Sequence, residues 1–162
     1  STPRGVARVD VKSASNMLSA ATQRAQSATI FIATAAVADW RPAQAADHKI
    51  KKDGSGKTPE LQFVENTDIL ATIAQSERAQ SGVLFCVGFA AESQDLLANA
   101  QAKRARKGVP LLVGNIGPAT FGKADNALLL VDAEQAVELP HASKLTLERL
   151  LINEIAQRLT PA

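Results

Sequence analysis

The sequence has little of what disulfide-bonded and membrane-spanning proteins need. Its single cysteine, Cys86, stands in an apolar run, so the chain can form neither an internal disulfide nor a zinc site built on several thiolates. Its longest apolar runs fall well short of the roughly 20 residues that a membrane helix requires. We expect a cytoplasmic protein with no membrane partner.

Aromatic residues and excess charge are also scarce. Aromatics make up 4% of the sequence, tyrosine is absent, and 18 Lys and Arg against 16 Asp and Glu leave a net charge of +2. A general nucleic-acid binder carries a strong basic excess, or aromatic residues interleaved with basic ones. We therefore expect no nucleic-acid partner. The positions of the basic residues say more about function than their number does.

The chain is long and apolar enough, at 162 residues and 46% hydrophobic, to bury one core, and residues 1–162 are expected to form a single domain. Strand patterns at 28–33, 61–64, 83–89 and 110–113 alternate with helix patterns at 14–26, 69–80 and 92–107. This alternation predicts an α/β fold with a Rossmann-like, doubly wound, mainly parallel sheet whose ligands lie beyond the carboxyl ends of the strands.

Two further features complete the predicted architecture. The continuous apolar run at 28–33 predicts a strand buried on both faces. Segments 127–131 and 136–139 predict a β-hairpin, and Ser143 then caps a last helix that ends near Leu159.

Asp39 follows the first apolar strand, a position from which doubly wound folds contact a ribose or a base. A turn begun by Asp39 before Arg41 and Pro42 is equally compatible with the sequence. Trp40 either stacks on a base or covers the edge of the sheet, and the pattern favours the second.

The segment at 87–92 predicts a strand-to-helix turn whose small residues would admit a ligand to backbone amides; alternatively Gly88 serves only the turn. The stretch from Asp53 to Pro59 has two glycines and a proline and predicts a mobile loop. That loop is not a nucleotide-binding Walker A loop, because Lys51 stands where the motif needs glycine.

Lysines cluster at two places in the sequence. Four fall within nine positions, namely Lys49, Lys51, Lys52 and Lys57. A lysine suits a triphosphate because its compact ammonium, on a long flexible side chain, can stay close to negative charge as that charge develops on the phosphates. A charged loop exposed to solvent explains this cluster equally well. Lys103 and Lys107 project from one face of a predicted helix, where a solvent-facing basic stretch is the favoured alternative.

Five short motifs occur in a familiar order and spacing: Ala35-Ala-Val-Ala-Asp39, Lys49-Ile-Lys51-Lys52, Asn66-Thr-Asp68-Ile69, Val87-Gly-Phe-Ala-Ala-Glu92 and Lys103-Arg-Ala-Arg-Lys107. Together they resemble the bacterial phosphopantothenoylcysteine synthetase domain of bifunctional coenzyme A biosynthesis proteins. The resemblance implies a ligase that joins 4'-phosphopantothenate to cysteine, using CTP and Mg²⁺ through an acyl cytidylate. It also implies a homodimer.

The same resemblance implies roles for individual residues. Those expected around the cytosine and ribose are Ala33, Thr34, Ala35, Asp39, Asn66, Thr67, Asp68, Ile69 and Phe89. Lys103 and Lys107 are expected to hold the triphosphate. Lys49, on a flexible flap at about 47–59, is the expected catalytic residue of the second half-reaction. Phosphate oxygens are expected to hold most of the Mg²⁺ coordination, so no protein metal ligand is assigned.

The sequence also departs from the family pattern. Thr67 replaces a usual proline, and Ile116 follows Asn115 where the family usually has aspartate. The opening strand of the family, its glycine-rich turn and the segment that supplies an asparagine for cytidylate formation have no counterpart. We therefore expect an N-terminally incomplete synthetase domain; the alternative is a catalytically incomplete fragment that serves as a nucleotide-binding or dimerisation module.

Overall fold

The computed structural model describes residues 2–44, 48, 51, 60–92, 95–116 and 125–159. The strands are β1 (Ile30–Ala33), β2 (Trp40–Pro42), β3 (Phe63–Glu65), β4 (Phe85–Glu92), β5 (Leu111–Ile116), β6 (Asp125–Val131) and β7 (Ala136–Ser143). The helices are α1 (Ala14–Ala25), α2 (Ile69–Ala74), α3 (Glu77–Gln80), α4 (Leu96–Lys107) and α5 (Lys144–Leu159). Over these ranges, none of the helices has the length and hydropathy needed to cross a bilayer.

A five-stranded sheet in the order β1-β4-β5-β6-β7 forms the centre of the fold. β1 and β5 flank β4 in parallel, and Ala33 stands opposite Gly88. β6 runs antiparallel to β5 and forms a hairpin with β7. The expected α/β fold with a mainly parallel sheet and a C-terminal hairpin is confirmed.

Helices cover both faces of this sheet. On one face, α1, α2 and α4 contribute to a core that includes Cys86, Ala90 and Leu112. On the other, α5 packs on a core that includes Val87 and Val113. Because side chains alternate along a strand, the continuous apolar run of β4 supplies both cores.

Strand β1 is less buried than its sequence predicts. Among the described residues it pairs only with β4, at one edge of the sheet, and Ile30 is 36% exposed. Phe31 packs against the core on one face and Ile32 against the core on the other, but both are only half-buried, so the prediction of a strand buried on both faces holds in part. A continuous apolar run indicates a strand but does not determine its place in the sheet.

The segment at 87–92 is strand rather than the predicted turn. β4 runs to Glu92, and α4 begins only at Leu96. Gly88 lies inside the strand, where an added Cβ would come within 2.7 Å of Leu70 Cδ2 and 2.8 Å of Leu112 Cδ1. Glycine therefore lets α2 approach the sheet closely.

The helix predicted at 69–80 is divided into α2 and α3. Ser76 adopts an extended conformation between them, and its Oγ accepts the backbone N–H of Ala79 as the N-cap of α3. Serine competes with the helix in this way because its side chain satisfies a backbone donor outside helical geometry.

A two-stranded antiparallel ribbon, β2 paired with β3, lies outside the main sheet. The strand predicted at 61–64 is displaced to Phe63–Glu65, and β2 was not predicted. Its short run ends in Pro42, which lacks the amide donor of a regular strand, so these residues predicted only a turn.

Candidate functional site at the carboxyl ends of β1 and β4

The chain leaves β1 without regular secondary structure over residues 34–38, at the edge where ligands of doubly wound sheets bind. Ala33 is half-buried as the last residue of β1, whereas Thr34 and Ala35 are exposed. Asp39 is exposed just before the ribbon. These residues therefore offer an accessible stretch of backbone and one carboxylate to a ligand.

Asn66 joins this stretch to the start of α2. Its side-chain amide donates to the Ala38 carbonyl at 2.8 Å, and its Oδ1 accepts from Arg41 Nη1 at 3.0 Å. Its backbone N–H donates to the Asp39 carbonyl at 2.7 Å. The two bonds to Ala38 and Asp39 thus bring together two segments that are distant in sequence and that were both predicted to surround a nucleoside.

Arg41 is a part of this arrangement that sequence reasoning missed. The same Nη1 also donates to the Glu65 carbonyl at 2.9 Å, so the guanidinium bridges the end of β3 and Asn66. In the sequence Arg41 stands between Trp40 and Pro42 and gave no signal beyond a turn. Its role depends on the pairing of β2 with β3.

Asp68 and Ile69 begin helix α2. Asp68 Oδ1 accepts the Ala71 backbone N–H at 3.0 Å, the usual bond of an N-cap residue, and the Asp68 carbonyl accepts the Thr72 hydroxyl at 2.7 Å. Ile69 is only 8% exposed and packs into the core. Thr67, by contrast, is exposed. Because its side chain is buried, Ile69 can offer a nucleoside mainly its backbone groups.

Lys107 lies in the last turn of α4, and its ammonium donates to Asp68 Oδ2. Burial alone would raise the pKa of Asp68, but the Ala71 N–H, the Lys107 ammonium and the nearby Arg106 charge outweigh it and lower that pKa. Lys103 is half-buried one turn earlier on the same helix. The two predicted phosphate ligands thus lie on one helix, and Asp68 is the partner of Lys107.

Phe89 stands apart from these groups. Its side chain packs beside the core that α5 covers, on the face of the sheet opposite to α2 and α4. A single ligand can contact both Phe89 and the start of α2 only near the carboxyl end of β4, where the two faces of the sheet meet at one edge.

Lys49 and the predicted flap lie outside the described residues, except His48 and Lys51. Within the described ranges, no three His, Cys, Asp or Glu side chains are grouped as a metal site. A cavity of about 240 Å³ between α1 and α2, and another of about 440 Å³ near Phe85 and Pro110, contain none of the predicted site residues.

A family model identifies the proteins to which this chain is related. Residues 1–159 match the family model described as the DNA/pantothenate metabolism flavoprotein C-terminal domain. The chain belongs to this family. The family resemblance derived from the five motifs is thereby confirmed.

Curated relatives of this family member are named coenzyme A biosynthesis bifunctional protein CoaBC. The protein of Vibrio cholerae is 40% identical over 161 residues, which cover 98% of this chain and 40% of the relative. That of Escherichia coli K12 is 38% identical, with 97% and 39% covered. The chain thus spans about two fifths of the length of these relatives.

Solved structures agree with the family assignment. The C-terminal domain of a CoaBC protein superposes with a TM-score of 0.76 and 26% identity, over 98% of this chain and 69% of that one. A mutant of Cab2 in complex with phosphopantothenate-cysteine has a TM-score of 0.58 and 24% identity, over 80% of this chain and 44% of that chain. The latter likeness concerns the fold alone.

Proposed function

We propose that the chain is a phosphopantothenoylcysteine synthetase domain of coenzyme A biosynthesis. In the proposed reaction, the carboxylate of 4'-phosphopantothenate attacks the α-phosphorus of CTP, which gives an acyl cytidylate and releases pyrophosphate. The amine of cysteine then attacks the acyl carbon, loses a proton and displaces CMP. The product is an amide, and CTP supplies the driving force.

The hydrogen bonds of Asn66 are the observation that carries this proposal. They fix Ala38 and Asp39, at the end of a mostly exposed stretch that begins at Thr34, beside the start of α2. This place lies at the carboxyl edge of the parallel strands. Doubly wound sheets bind nucleotides at this edge, and the relatives that match nearly the whole chain are named for coenzyme A biosynthesis.

Each predicted residue has a part in the proposal. The cytosine and ribose are assigned to Ala33, Thr34, Ala35, Asp39, Asn66, Thr67, Asp68, Ile69 and Phe89. Lys103 and Lys107 serve the triphosphate end, and Lys49 acts in the second half-reaction. Mg²⁺ would neutralise phosphate charge; because the described residues offer no cluster of metal ligands, phosphate oxygens would hold it. The proposed assembly is a homodimer.

Isothermal titration of the chain with CTP, ATP and GTP, each with Mg²⁺, tests nucleotide recognition. We expect CTP to bind at least about tenfold more tightly than the purine nucleotides, because a site that hydrogen-bonds one base rejects another that leaves its polar groups unpaired. Equal, weak binding of all three would refute the proposed nucleotide specificity.

Two lysine variants test where CTP binds. Lys103→Ala should weaken CTP binding about tenfold or more with unchanged circular dichroism, since it removes one charge from the triphosphate site. Lys144→Ala, at the start of α5, is the matched control and should bind CTP like the unchanged chain. If Lys103→Ala binds CTP like the unchanged chain, Lys103 is not a triphosphate ligand. If neither the unchanged chain nor the variants bind CTP and all of them sediment as the same dimer, the alternative of a purely dimerising module is supported instead.

Lys49→Gln tests the proposed second half-reaction. In the longest natural polypeptide that carries this chain, pyrophosphate release should remain detectable while formation of the cysteine amide slows. The reason is that cytidylate formation precedes the step assigned to Lys49. Equal loss of both steps in a coupled pyrophosphate assay and in product chromatography would assign Lys49 to the first step.

A further inference from the structure

The guanidinium of Arg41 extends from the middle of β2 to the end of the paired strand. Arg41 stands opposite Val64 in the ribbon. Its Nη1 donates to the Glu65 carbonyl at 2.9 Å and to Asn66 Oδ1 at 3.0 Å. Because side chains alternate along a strand, Arg41 lies on the face of the ribbon opposite to Trp40. The ribbon thus places a cation beside the side chain of Asn66.

The side-chain amide of Asn66 has two orientations of the same shape, because Oδ1 and Nδ2 exchange places when the amide turns over. In the structure, Oδ1 faces Arg41 and Nδ2 donates to the Ala38 carbonyl at 2.8 Å. In the reverse orientation, donors would face each other at Arg41 and two oxygens would face each other at Ala38. Since arginine has donors only, Arg41 selects the orientation in which Asn66 can bind Ala38.

The Ala38 carbonyl belongs to the segment that leads from β1 to the ribbon. The backbone N–H of Asn66 donates to the next carbonyl, that of Asp39, at 2.7 Å, so one residue holds two consecutive carbonyls. The exposed Asp39, which is assigned to the nucleoside, is part of this backbone. A binding group that is already fixed loses less conformational freedom when its ligand binds. The orientation of Asn66 therefore affects nucleotide affinity.

We propose that Arg41 is a positioning residue for the nucleoside, which acts through Asn66 to hold Ala38 and Asp39 in place. In this role the guanidinium does not contact the phosphates. This inference rests on the proposed function, and it adds to the proposed site a residue that the sequence did not assign to it.

Titration calorimetry with CMP, CDP and CTP separates positioning from phosphate binding. Arg41→Met keeps most of the aliphatic side chain but removes its donors, and it should weaken binding of all three nucleotides by a similar factor, about three- to tenfold. Arg41→Lys keeps a charged donor and should recover part of this affinity. A loss for Arg41→Met that grows from CMP to CTP would overturn the inference, because it would indicate direct contact with the phosphates.

Val64→Ala is the matched control for the stability of the ribbon. Val64 is the partner of Arg41 across the two strands, and its side chain has no hydrogen-bonding group. This variant should bind CTP like the unchanged chain. A loss of affinity equal to that of Arg41→Met would show that any weakening of the ribbon has the same effect, and would refute a specific role of Arg41.

A double-mutant cycle tests whether Arg41 acts through Asn66. In a chain that already carries Asn66→Ala, Arg41→Met should cost less than about a further twofold in CTP affinity, because the amide that it orients is gone. Losses that are fully additive would show that Arg41 acts by another route.

NMR spectra without nucleotide distinguish failure of this inference from failure of the proposed function. In Arg41→Met, the side-chain amide signals of Asn66, identified by their absence in Asn66→Ala, should move towards those of an unrestrained asparagine. Exchange of the Asn66 backbone amide, which donates to Asp39, should also become faster, and Arg41→Lys should partly reverse both changes. Unchanged signals and exchange would refute the positioning role even if CTP binds. Absence of CTP binding by the unchanged chain, with altered signals in Arg41→Met, would refute only the proposed nucleotide.

Discussion

Arg158 holds the end of α5 against the turn between β6 and β7. Its Nη2 donates to Asp132 Oδ2 at 3.1 Å, and its Nη1 donates to Glu154 Oε2 at 2.6 Å. Asp132 Oδ1 accepts the backbone N–H groups of Glu134 and Gln135 at 3.0 and 2.9 Å. Only 17% of the Arg158 side chain and 19% of the Asp132 side chain are exposed. A single carboxylate therefore orders the turn and anchors the last helix.

Asp132→Asn should lower the free energy of unfolding at pH 7 by about 1–2 kcal/mol, because it removes the charge-assisted bond to Arg158. Burial alone would raise the pKa of Asp132, but the N–H groups of Gln135 and Glu134 and the Arg158 charge lower it below the usual 3.8. A lowered folded-state pKa gives stability that is present above the unfolded-state pKa and lost as pH falls through the folded value.

Urea unfolding between pH 7 and pH 2 measures this contribution. The variant should lose part of the decline in stability that the unchanged chain shows below about pH 4. Asp10→Asn is the control, because Asp10 pairs with Arg8 at the surface, where the side chains are 78% and 65% exposed, and should change little. Parallel pH curves for Asp132→Asn and the unchanged chain would contradict the assigned role.

At the scale of secondary structure, Asn66 joins three elements: the segment after β1, the ribbon and α2. Asn66→Ala should weaken CTP binding about tenfold and lower stability by about 1 kcal/mol, because the Ala38 carbonyl and Arg41 each lose a partner. Gln62→Ala, at an exposed position just before β3, is the control. Normal CTP affinity of Asn66→Ala in calorimetry would show that the two segments act independently.

The sequence predicted elements whose signals are local and continuous. The buried run of β4 and the alanine-rich α1 with its Ser13 cap were found because their residue types suffice to define them. The ribbon could not be found, since β2 is stabilised by pairing with residues that are more than twenty positions away. All three residues of β2 are exposed, so β2 also lacks the alternation of buried apolar and exposed polar residues that marks a half-buried strand.

For the candidate site, the sequence predicted residues but not their contacts. Family motifs identified Asn66 and Asp68, but not that Asn66 bonds to Ala38 or that Asp68 pairs with Lys107. The spacing of Lys103 and Lys107 places both on one helical face and cannot reveal a partner on another helix. Long-range contacts therefore account for what the sequence alone did not show.

At the scale of the whole molecule, the ribbon has the most exposed apolar side chains among the described residues near the candidate site. Trp40, which was expected to cover the edge of the sheet, is 60% exposed, and Phe63 is 57% exposed. Both lie on one face of the ribbon, because Pro42, two residues after Trp40, stands opposite Phe63. A two-stranded ribbon is marginally stable by itself, and exposed aromatic side chains mark contact surfaces.

The proposed homodimer can therefore be tested at this ribbon. The double variant Trp40→Ser and Phe63→Ser should shift sedimentation velocity profiles towards the monomer at micromolar concentrations, because it removes apolar area from the proposed contact. Leu145→Ser is the matched control: Leu145 is 58% exposed but lies at the start of α5, next to the C-terminal hairpin. If Leu145→Ser dissociates the dimer and the ribbon variant does not, the hairpin end is the contact surface, and the exposed ribbon needs another partner.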